Sequence, residues 1–327
     1  MHNFFLSCDW GTSNFRLKLV RVADQQVLEE VITKEGIAAT YARWKTASGQ
    51  HHIQRETFAM QVLQDNLYAL GKKTTEILKG LPVLISGMAS SSMGIRELPY
   101  ATLPFSLDGR DAVIQRIGPD EKNTQEIWLI SGLKAAADVM RGEETQMIGL
   151  DAVFSTGKTV VSIFPGTHSK HIRVLEGKII DFKTYMTGEL FDLVSGNSLL
   201  KEAVSSGRQV MTTGDFDAFD QGIARAAASN FLNGLFSVRV NHLFKSFSRE
   251  QNYHYLSGLL IGTELKDLTQ EDPGQIQLCS GSHLFPLYQR GLEKLNLTKK
   301  TTFILSEMMD QSAAKGQLKI FQYHHGR

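Results

Sequence analysis

Two similar stretches, about half a chain apart, constrain this sequence more than any other feature. Cys8-Asp9-Trp10-Gly11-Thr12-Ser13-Asn14-Phe15-Arg16-Leu17-Lys18-Leu19 and Phe164-Pro165-Gly166-Thr167-His168-Ser169-Lys170-His171-Ile172-Arg173-Val174 each carry an apolar run into a Gly-Thr turn rich in hydroxyl, amide or basic side chains. Each then enters a strand with period-two alternation. Glycine lets the backbone come close to an anion, so that successive N–H groups can converge on it, while Thr or Ser hydroxyls add donors. One such turn alone is equally an ordinary hairpin. Its repetition points to two lobes that pinch one polyphosphate. Asp9, at the end of the first run, stands where a carboxylate can hold Mg²⁺ or its water shell.

The surroundings of the two turns repeat as well. Residues 4–8, 15–19 and 27–32 read as a three-stranded meander, and residues 159–164, 170–175 and 178–183 read as a second, with a tight turn at Glu176-Gly177. The restart near residues 154–158 places a domain boundary there, giving lobes of 1–153 and 154–327. Between the meanders, residues 56–78 predict a helix, 83–85 a buried strand, 127–130 another, and 135–152 a helix with Gly142 as a break. The second lobe reads as mostly helical over 188–204, 217–247 and 253–268. It continues with a strand at 275–279, a helix at 284–295, a strand at 301–305 and a last helix at 306–315, with His324 and His325 read as a tail. A chain of 327 residues in this alternation is an α/β protein of two domains.

Charge and cysteine usage narrow the partners. With 35 basic against 34 acidic residues the net charge is +1, so no nucleic-acid partner is expected. The two cysteines, Cys8 and Cys279, lie in separate apolar runs and fit a reducing compartment. Neither a signal-peptide pattern nor a membrane-length apolar stretch occurs, so a cytoplasmic protein without a membrane partner is expected.

Two common nucleotide-binding designs are disfavoured: there is no Gly-x-x-x-x-Gly-Lys-Ser/Thr string, and the opening unit lacks the dinucleotide glycine fingerprint. Met140-Arg141-Gly142-Glu143-Glu144-Thr145-Gln146 instead sets two carboxylates at a predicted helix start. Phosphoryl transfer to an alcohol needs one carboxylate near the hydroxyl and another group near the metal, and adjacent helical residues point roughly a hundred degrees apart. A solvated helix face with favourable N-terminal charge would look the same. Ser90, Ser91 and Arg96 follow the strand at 83–85, where α/β proteins bind small ligands; hydroxyls suit a polyol and a guanidinium suits a carboxylate. His168 and Lys170 can reach phosphate oxygens, and Ser280-Gly281-Ser282 can admit an adenosine to the backbone.

Taken together, these strings resemble the 2-dehydro-3-deoxygalactonokinase family of sugar-acid kinases. The matching residues are Asp9-Trp10-Gly11-Thr12-Ser13-Asn14, Ser86-Gly87-Met88, the Met140 to Gln146 string, Pro165-Gly166-Thr167-His168-Ser169-Lys170, Met186-Thr187-Gly188-Glu189-Leu190 and Leu256-Ser257-Gly258-Leu259-Leu260-Ile261-Gly262. The resemblance implies a two-lobed actin-like ATPase (ribonuclease H-like) fold, each lobe a mixed sheet with flanking helices. It also implies ATP and Mg²⁺ as cofactors and transfer to the C6 hydroxyl of 2-dehydro-3-deoxy-D-galactonate, a small-molecule sugar acid. On that reading residues 9–14 form the first phosphate loop, Gly166, Thr167, His168, Ser169 and Lys170 the second, and Gly281 and Ser282 part of the adenosine site. Asp9 and Glu144 serve the metal, Glu143, Asp138 or Glu144 the acceptor hydroxyl, and Ser90, Ser91, Arg96 or Arg141 the sugar acid. Another 2-keto-3-deoxy acid as acceptor, or an ATPase switch without an acceptor, stays open, as does a homodimer.

Overall fold

The computed structural model describes residues 2–51, 53–119, 124–150, 157–205, 211–270 and 273–326, without the side chains of 49–51. In the first half, β1 (Phe4–Trp10), β2 (Phe15–Arg21) and β3 (Val27–Thr33) form the predicted meander, followed by α1 (Ile37–His51), α2 (Arg55–Gly71) and β4 (Val83–Gly87). Short strands β5 (Ala101–Thr102), β6 (Phe105–Ser106) and β7 (Ile114–Ile117) precede β8 (Ile127–Ile130), β9 (Leu133–Lys134), β10 (Val139–Met140) and α3 (Glu143–Gly149). The second half holds β11 (Val160–Phe164), β12 (Ser169–Leu175), β13 (Lys178–Tyr185), α4 (Thr187–Asn197), α5 (Thr213–Ala228), α6 (Phe231–Leu243) and α7 (Arg249–Leu265). After these come α8 (Asp267–Gln270), β14 (Gln275–Leu278), α9 (Phe285–Lys294), β15 (Thr301–Phe303) and α10 (Ser306–His325).

The chain divides into two compact units: residues 1–156 with 175–181 and 307–327, and residues 157–174 with 182–306. The sequence-read boundary between 153 and 154 lies outside the described residues. Strand order in the first sheet is β3-β2-β1-β4-β8-β7, with β1 antiparallel to β2 and parallel to β4, and β4 parallel to β8. In the other sheet the order β15-β14-β11-β12-β13 repeats the first five positions, with β11 antiparallel to β12 and parallel to β14, and β14 parallel to β15. This doubled mixed sheet is the ribonuclease H-like unit of the actin-like ATPases.

Local pattern accounts for the meanders. Phe15, Leu17 and Leu19 are fully buried while Arg16 and Lys18 alternate with them, and the buried row joins Leu6, Cys8 and Trp10 and the α2 residues Val62, Leu63, Leu67 and Leu70 in one apolar cluster. Helices differ more from expectation. Of residues 135–152, only 143–149 are helical among those described; residues 133–140 fold as the β9–β10 hairpin, in which the Ala135 N–H donates to the Asp138 carbonyl. The stretch 217–247 breaks at Ser229 and Asn230, where the Asn230 side chain accepts from the Leu232 N–H and caps α6. Two histidines read as a tail, His324 and His325, are the last turn of α10.

α10 belongs to the first unit, not with the strands that precede it. Its Ala314 and Leu318 pack with Phe5, Val20, Leu84 and Trp128, and Gln317 Nε2 donates to the Cys8 carbonyl (2.9 Å) and to Ser86 Oγ (2.8 Å). The amphipathic helix finds its apolar partner on the first sheet, and the buried amide bridges the adjacent strands β1 and β4 close to their C-terminal ends.

Candidate active site

Each Gly-Thr turn is backed by a helix start. Behind the β1–β2 turn, the Ile37 N–H donates to the Gly11 carbonyl (2.9 Å) and the Ala38 N–H to the Thr12 carbonyl (3.1 Å); behind the β11–β12 turn, the Glu189 N–H donates to the Thr167 carbonyl (3.0 Å). A glycine makes each approach possible. A Cβ on Gly36 would lie 2.3 Å from the Thr12 carbonyl oxygen, and one on Gly188 would lie 2.6 Å from that of Gly166. Neither glycine has a positive φ, so the requirement is for space. Both stand at the third residue after the last strand of their meander, so the repeat extends beyond the turns themselves.

With carbonyls engaged from behind, the amides are left over. Among the described residues the backbone N–H groups of Thr12 and Ser13 donate to nothing, and neither do those of Gly166, Thr167 and His168. The Thr12 and Ser13 hydroxyls likewise have no protein partner there. Successive unengaged amides at a glycine turn are the arrangement that binds anions. Asn14 closes the first turn, its carbonyl accepting from the Gly11 N–H (3.0 Å) and its side-chain oxygen from Lys34 Nζ (3.2 Å).

Three elements of the first unit meet beside Asp9. Asp9 pairs in register with Ser86 and Trp10 with Gly87 across the parallel β1 and β4. Gly87, at φ +89°, would carry a Cβ 2.7 Å from the Trp10 carbonyl and 3.4 Å from Asp9 Oδ1. Gly142, at φ +113°, would in turn place its Cβ 3.5 Å from the Gly87 Cα. The start of α3, and with it Glu143, therefore abuts the carboxyl ends of β1 and β4, where ligands bind in α/β sheets. Asp9 Oδ2 accepts from Arg16 Nη1 (3.1 Å), while Oδ1 makes no hydrogen bond among the described residues. Mg²⁺ is commonly held by one or two carboxylates together with phosphate oxygens and water. An open carboxylate oxygen beside an anion-binding turn fits that donor set, although no group of three or more His, Cys, Asp or Glu side chains able to hold a metal occurs among the described residues.

Several sequence-predicted residues have hydrogen-bond partners within the protein. Glu144 is 2% exposed, and both its carboxylate oxygens accept from the Gly142 N–H (2.9 Å each) while Oε1 also accepts from the Thr145 hydroxyl. Its two oxygens are thus turned toward the start of its own helix. Ser90 is fully buried; its hydroxyl donates to the Gly87 carbonyl and accepts from Arg141 Nη1 (2.8 Å). The Ser91 hydroxyl donates to the Met88 carbonyl (2.7 Å). Both serine hydroxyls are thus bonded within the loop after β4. Arg141 latches the same loop, donating to the Ser90 and Leu98 carbonyls and lying 4.0 Å from the centre of the Tyr100 ring. Arg96 forms a two-pronged pair with Glu56 (2.6 and 3.3 Å) and stays 39% exposed. Asp138 lies in the β9–β10 turn, where Oδ1 accepts from the Val139 N–H (2.7 Å).

The second turn shows a similar division. Ser169 is fully buried, and its hydroxyl donates to Glu264 (2.6 Å). The His168 ring meets the Glu189 carboxylate on α4, and Lys170 is buried with Nζ 3.5 Å from the His168 carbonyl. Gly281 and Ser282 are exposed between β14 and α9, and a Cβ on Gly281 would meet nothing within 4 Å. Sequence reasoning missed Gly36 and Glu264. The first was detectable from the repeat, because the Gly188 of the quoted Met-Thr-Gly-Glu-Leu string has its counterpart there.

Glu144 makes stability depend on pH. Burial, with the Glu143 charge next, pushes its carboxyl from near 4.5 to about 7 against the opposing Gly142 N–H bonds. The folded state holds the proton more tightly than the unfolded chain, so this contribution is complete below the unfolded value and lost as pH rises through about 7. By linkage it amounts to about 3 kcal/mol. Thermal unfolding from pH 5 to 9 should show that loss in the wild type and a much flatter profile in Glu144→Gln; parallel profiles would refute the assignment.

A ribonuclease H-like sheet in each unit, each with an unengaged glycine turn at the carboxyl end of its first strand, defines a member of the actin-like ATPase and kinase class. The family model for 2-keto-3-deoxy-galactonokinase matches residues 9–316. A Rhizobium meliloti (strain 1021) protein provisionally named a 2-dehydro-3-deoxygalactonokinase is 32% identical over 305 residues, 90% of each chain. The Escherichia coli (strain K12) 2-dehydro-3-deoxygalactonokinase is 29% identical over 299 residues, 89% of this chain and 90% of that one. A crystal structure from Sinorhizobium meliloti, also assigned provisionally to this activity, superposes with a TM-score of 0.77 at 28% identity, covering 97% of this chain and 98% of its own. The chain belongs to the 2-keto-3-deoxy-galactonokinase family, and it is a sugar-acid kinase. Among the described residues no helix is long and apolar enough to cross a membrane.

Proposed function

We propose that this protein transfers the terminal phosphoryl group of Mg-ATP to the C6 hydroxyl of 2-dehydro-3-deoxy-D-galactonate in the cytoplasm. The observation that carries the reading is the pair of turns whose carbonyls are held from behind while their amides remain unengaged. In the first unit Thr12 and Ser13 offer donors to phosphate oxygens; in the second the amides of residues 166–168 do so, and the backbone at Gly281 and Ser282 receives the adenosine. Asp9 Oδ1 holds Mg²⁺ or one of its waters, and the ion supplies charge neutralisation on the phosphates. Glu143, at the start of α3, orients the C6 hydroxyl and accepts its proton as the oxygen attacks the γ-phosphorus, whose bond to the β,γ-bridging oxygen breaks so that ADP leaves. Glu144 is left out of this chemistry because its oxygens are bonded inward.

Of the two candidate arginines, Arg96 suits the acceptor's carboxylate. Arg141 is committed to the loop it latches, whereas Arg96 is partly exposed and already pairs with one carboxylate, Glu56, in the fork geometry that a sugar acid would share or take over.

Coupled ADP release against a panel of 2-keto-3-deoxy acids tests the function. The galacto acid should stimulate release above its gluco epimer, and Arg96→Ala should raise KM for the acid about tenfold or more, the scale of one charged hydrogen bond, with KM for ATP little changed. ADP release indifferent to every acid on the panel would exclude the kinase reading and favour the ATPase switch.

A further inference from the structure

The second turn is anchored by a residue that neither the turn motif nor the proposed chemistry includes. Glu264, on α7, is 2% exposed, and its carboxylate accepts four side-chain hydrogen bonds. Ser169 Oγ (2.6 Å) and His171 Nε2 (3.0 Å) reach Oε1, and Thr187 Oγ1 and the Tyr288 hydroxyl (2.8 Å) reach Oε2. Burial alone would raise this carboxyl, but the His171 bond and charge, with the Ser169 and Thr187 hydroxyls, hold it below the ordinary range, so the network surrounds an anion. A buried charge is tolerated only when its lone pairs are satisfied in this way.

The placement of the four donors gives the network its meaning. Ser169 and His171 are on β12, the strand that leaves the turn; Thr187 opens α4 and adjoins Gly188, the glycine pressed against Gly166 and Thr167 from behind. One oxygen thus fastens the strand after the turn and the other fastens the helix behind it, with Tyr288 bringing in α9. We propose that Glu264 is a positioning residue for nucleotide phosphate: it holds the strand and the helix that flank residues 166–168 so that their amides converge on the anion. This rests on the reading of that turn as a phosphate site.

The test uses the full-length protein, direct calorimetric binding of a non-hydrolysable ATP analogue with Mg²⁺, and coupled kinetics. Glu264→Gln should weaken analogue binding and raise KM for ATP about tenfold or more, the scale of lost hydrogen bonds to a charged group, with KM for the sugar acid within about twofold. Thr187→Val should shift the same two quantities in the same direction, and Thr187→Ser, which keeps the hydroxyl, should restore them; this pair decides the matter if Glu264→Gln does not fold. Variants that fold and bind the analogue as tightly as wild type would overturn the proposal. So would a loss shared equally by both substrates, since that marks a general structural defect. Wild-type protein that fails to bind the analogue would instead overturn the reading of the turn as a phosphate site.

Discussion

Asp9→Asn is expected to lower turnover about a thousandfold, the upper range for removing one charged group that stabilises a phosphoryl-transfer transition state, while leaving the melting temperature nearly unchanged. The structure separates the two effects. Oδ2 accepts from Arg16 in a pair that is 44% exposed on the arginine side, and an asparagine oxygen preserves that bond in neutral form. Surface pairs of this type contribute little to stability, on the order of 0–1 kcal/mol. Oδ1, which has no protein partner among the described residues, is the oxygen whose charge the substitution removes. Single-turnover kinetics at saturating ATP and acceptor, beside a thermal melt, would check this. Turnover near wild type would remove Asp9 from the metal's coordination and oblige another group to serve it.

Gly36→Ala carries the largest expected structural effect. Its Cβ would fall 2.3 Å from the Thr12 oxygen, 2.4 Å from the Ser13 carbonyl carbon and 2.6 Å from the Asn14 nitrogen, all backbone atoms that no rotamer change can move. Either α1 withdraws, breaking the bonds from Ile37 and Ala38, or the turn shifts and its amides lose their convergence. Overpacking commonly costs 1–3 kcal/mol, and a clash with rigid backbone belongs at the upper end, so a loss of about 3 kcal/mol and roughly 10 °C in melting temperature is expected. ATP binding should weaken beyond what the lost stability explains. Gly196→Ala is the control: it lies in α4 with nothing within 4 Å of an added Cβ, and alanine favours a helix by up to about 1 kcal/mol, so it should be neutral or mildly stabilising. Equal melting temperatures for the two variants would show that α1 does not press on the turn as described.

These expectations depend on parts of the sequence that differ in how readily they reveal their structure. The meanders could be read because strand alternation is a local property: Phe15, Leu17 and Leu19 announce a half-buried strand whatever surrounds them, and they are buried as a row. α1 was not legible, since Ala39, Thr40, Ala42 and Ser48 give it no strong apolar stripe, and its position is decided by the Gly36 contact at its start. The stretch before Gly142 looked helical by composition. It folds as a hairpin because β9 pairs with β5 as well as with β10, a partnership residues distant in sequence create.

The sequence by itself determined the two Gly-Thr turns, the strands on either side of them and the family strings, because glycine placement and residue alternation act over a few neighbouring residues. Tertiary structure alone decided which polar groups remain available for chemistry. Glu143 and Glu144 are adjacent and chemically alike, yet the packing of Gly142 against Gly87 turns Glu144 inward onto its own helix start. Ser90 and Arg141, read from sequence as candidate sugar-acid ligands, are bonded to each other, and Glu264 looks like an ordinary helix residue until four donors close around it. A side chain's hydrogen-bond capacity is finite, and only the fold determines whether protein partners have already filled it.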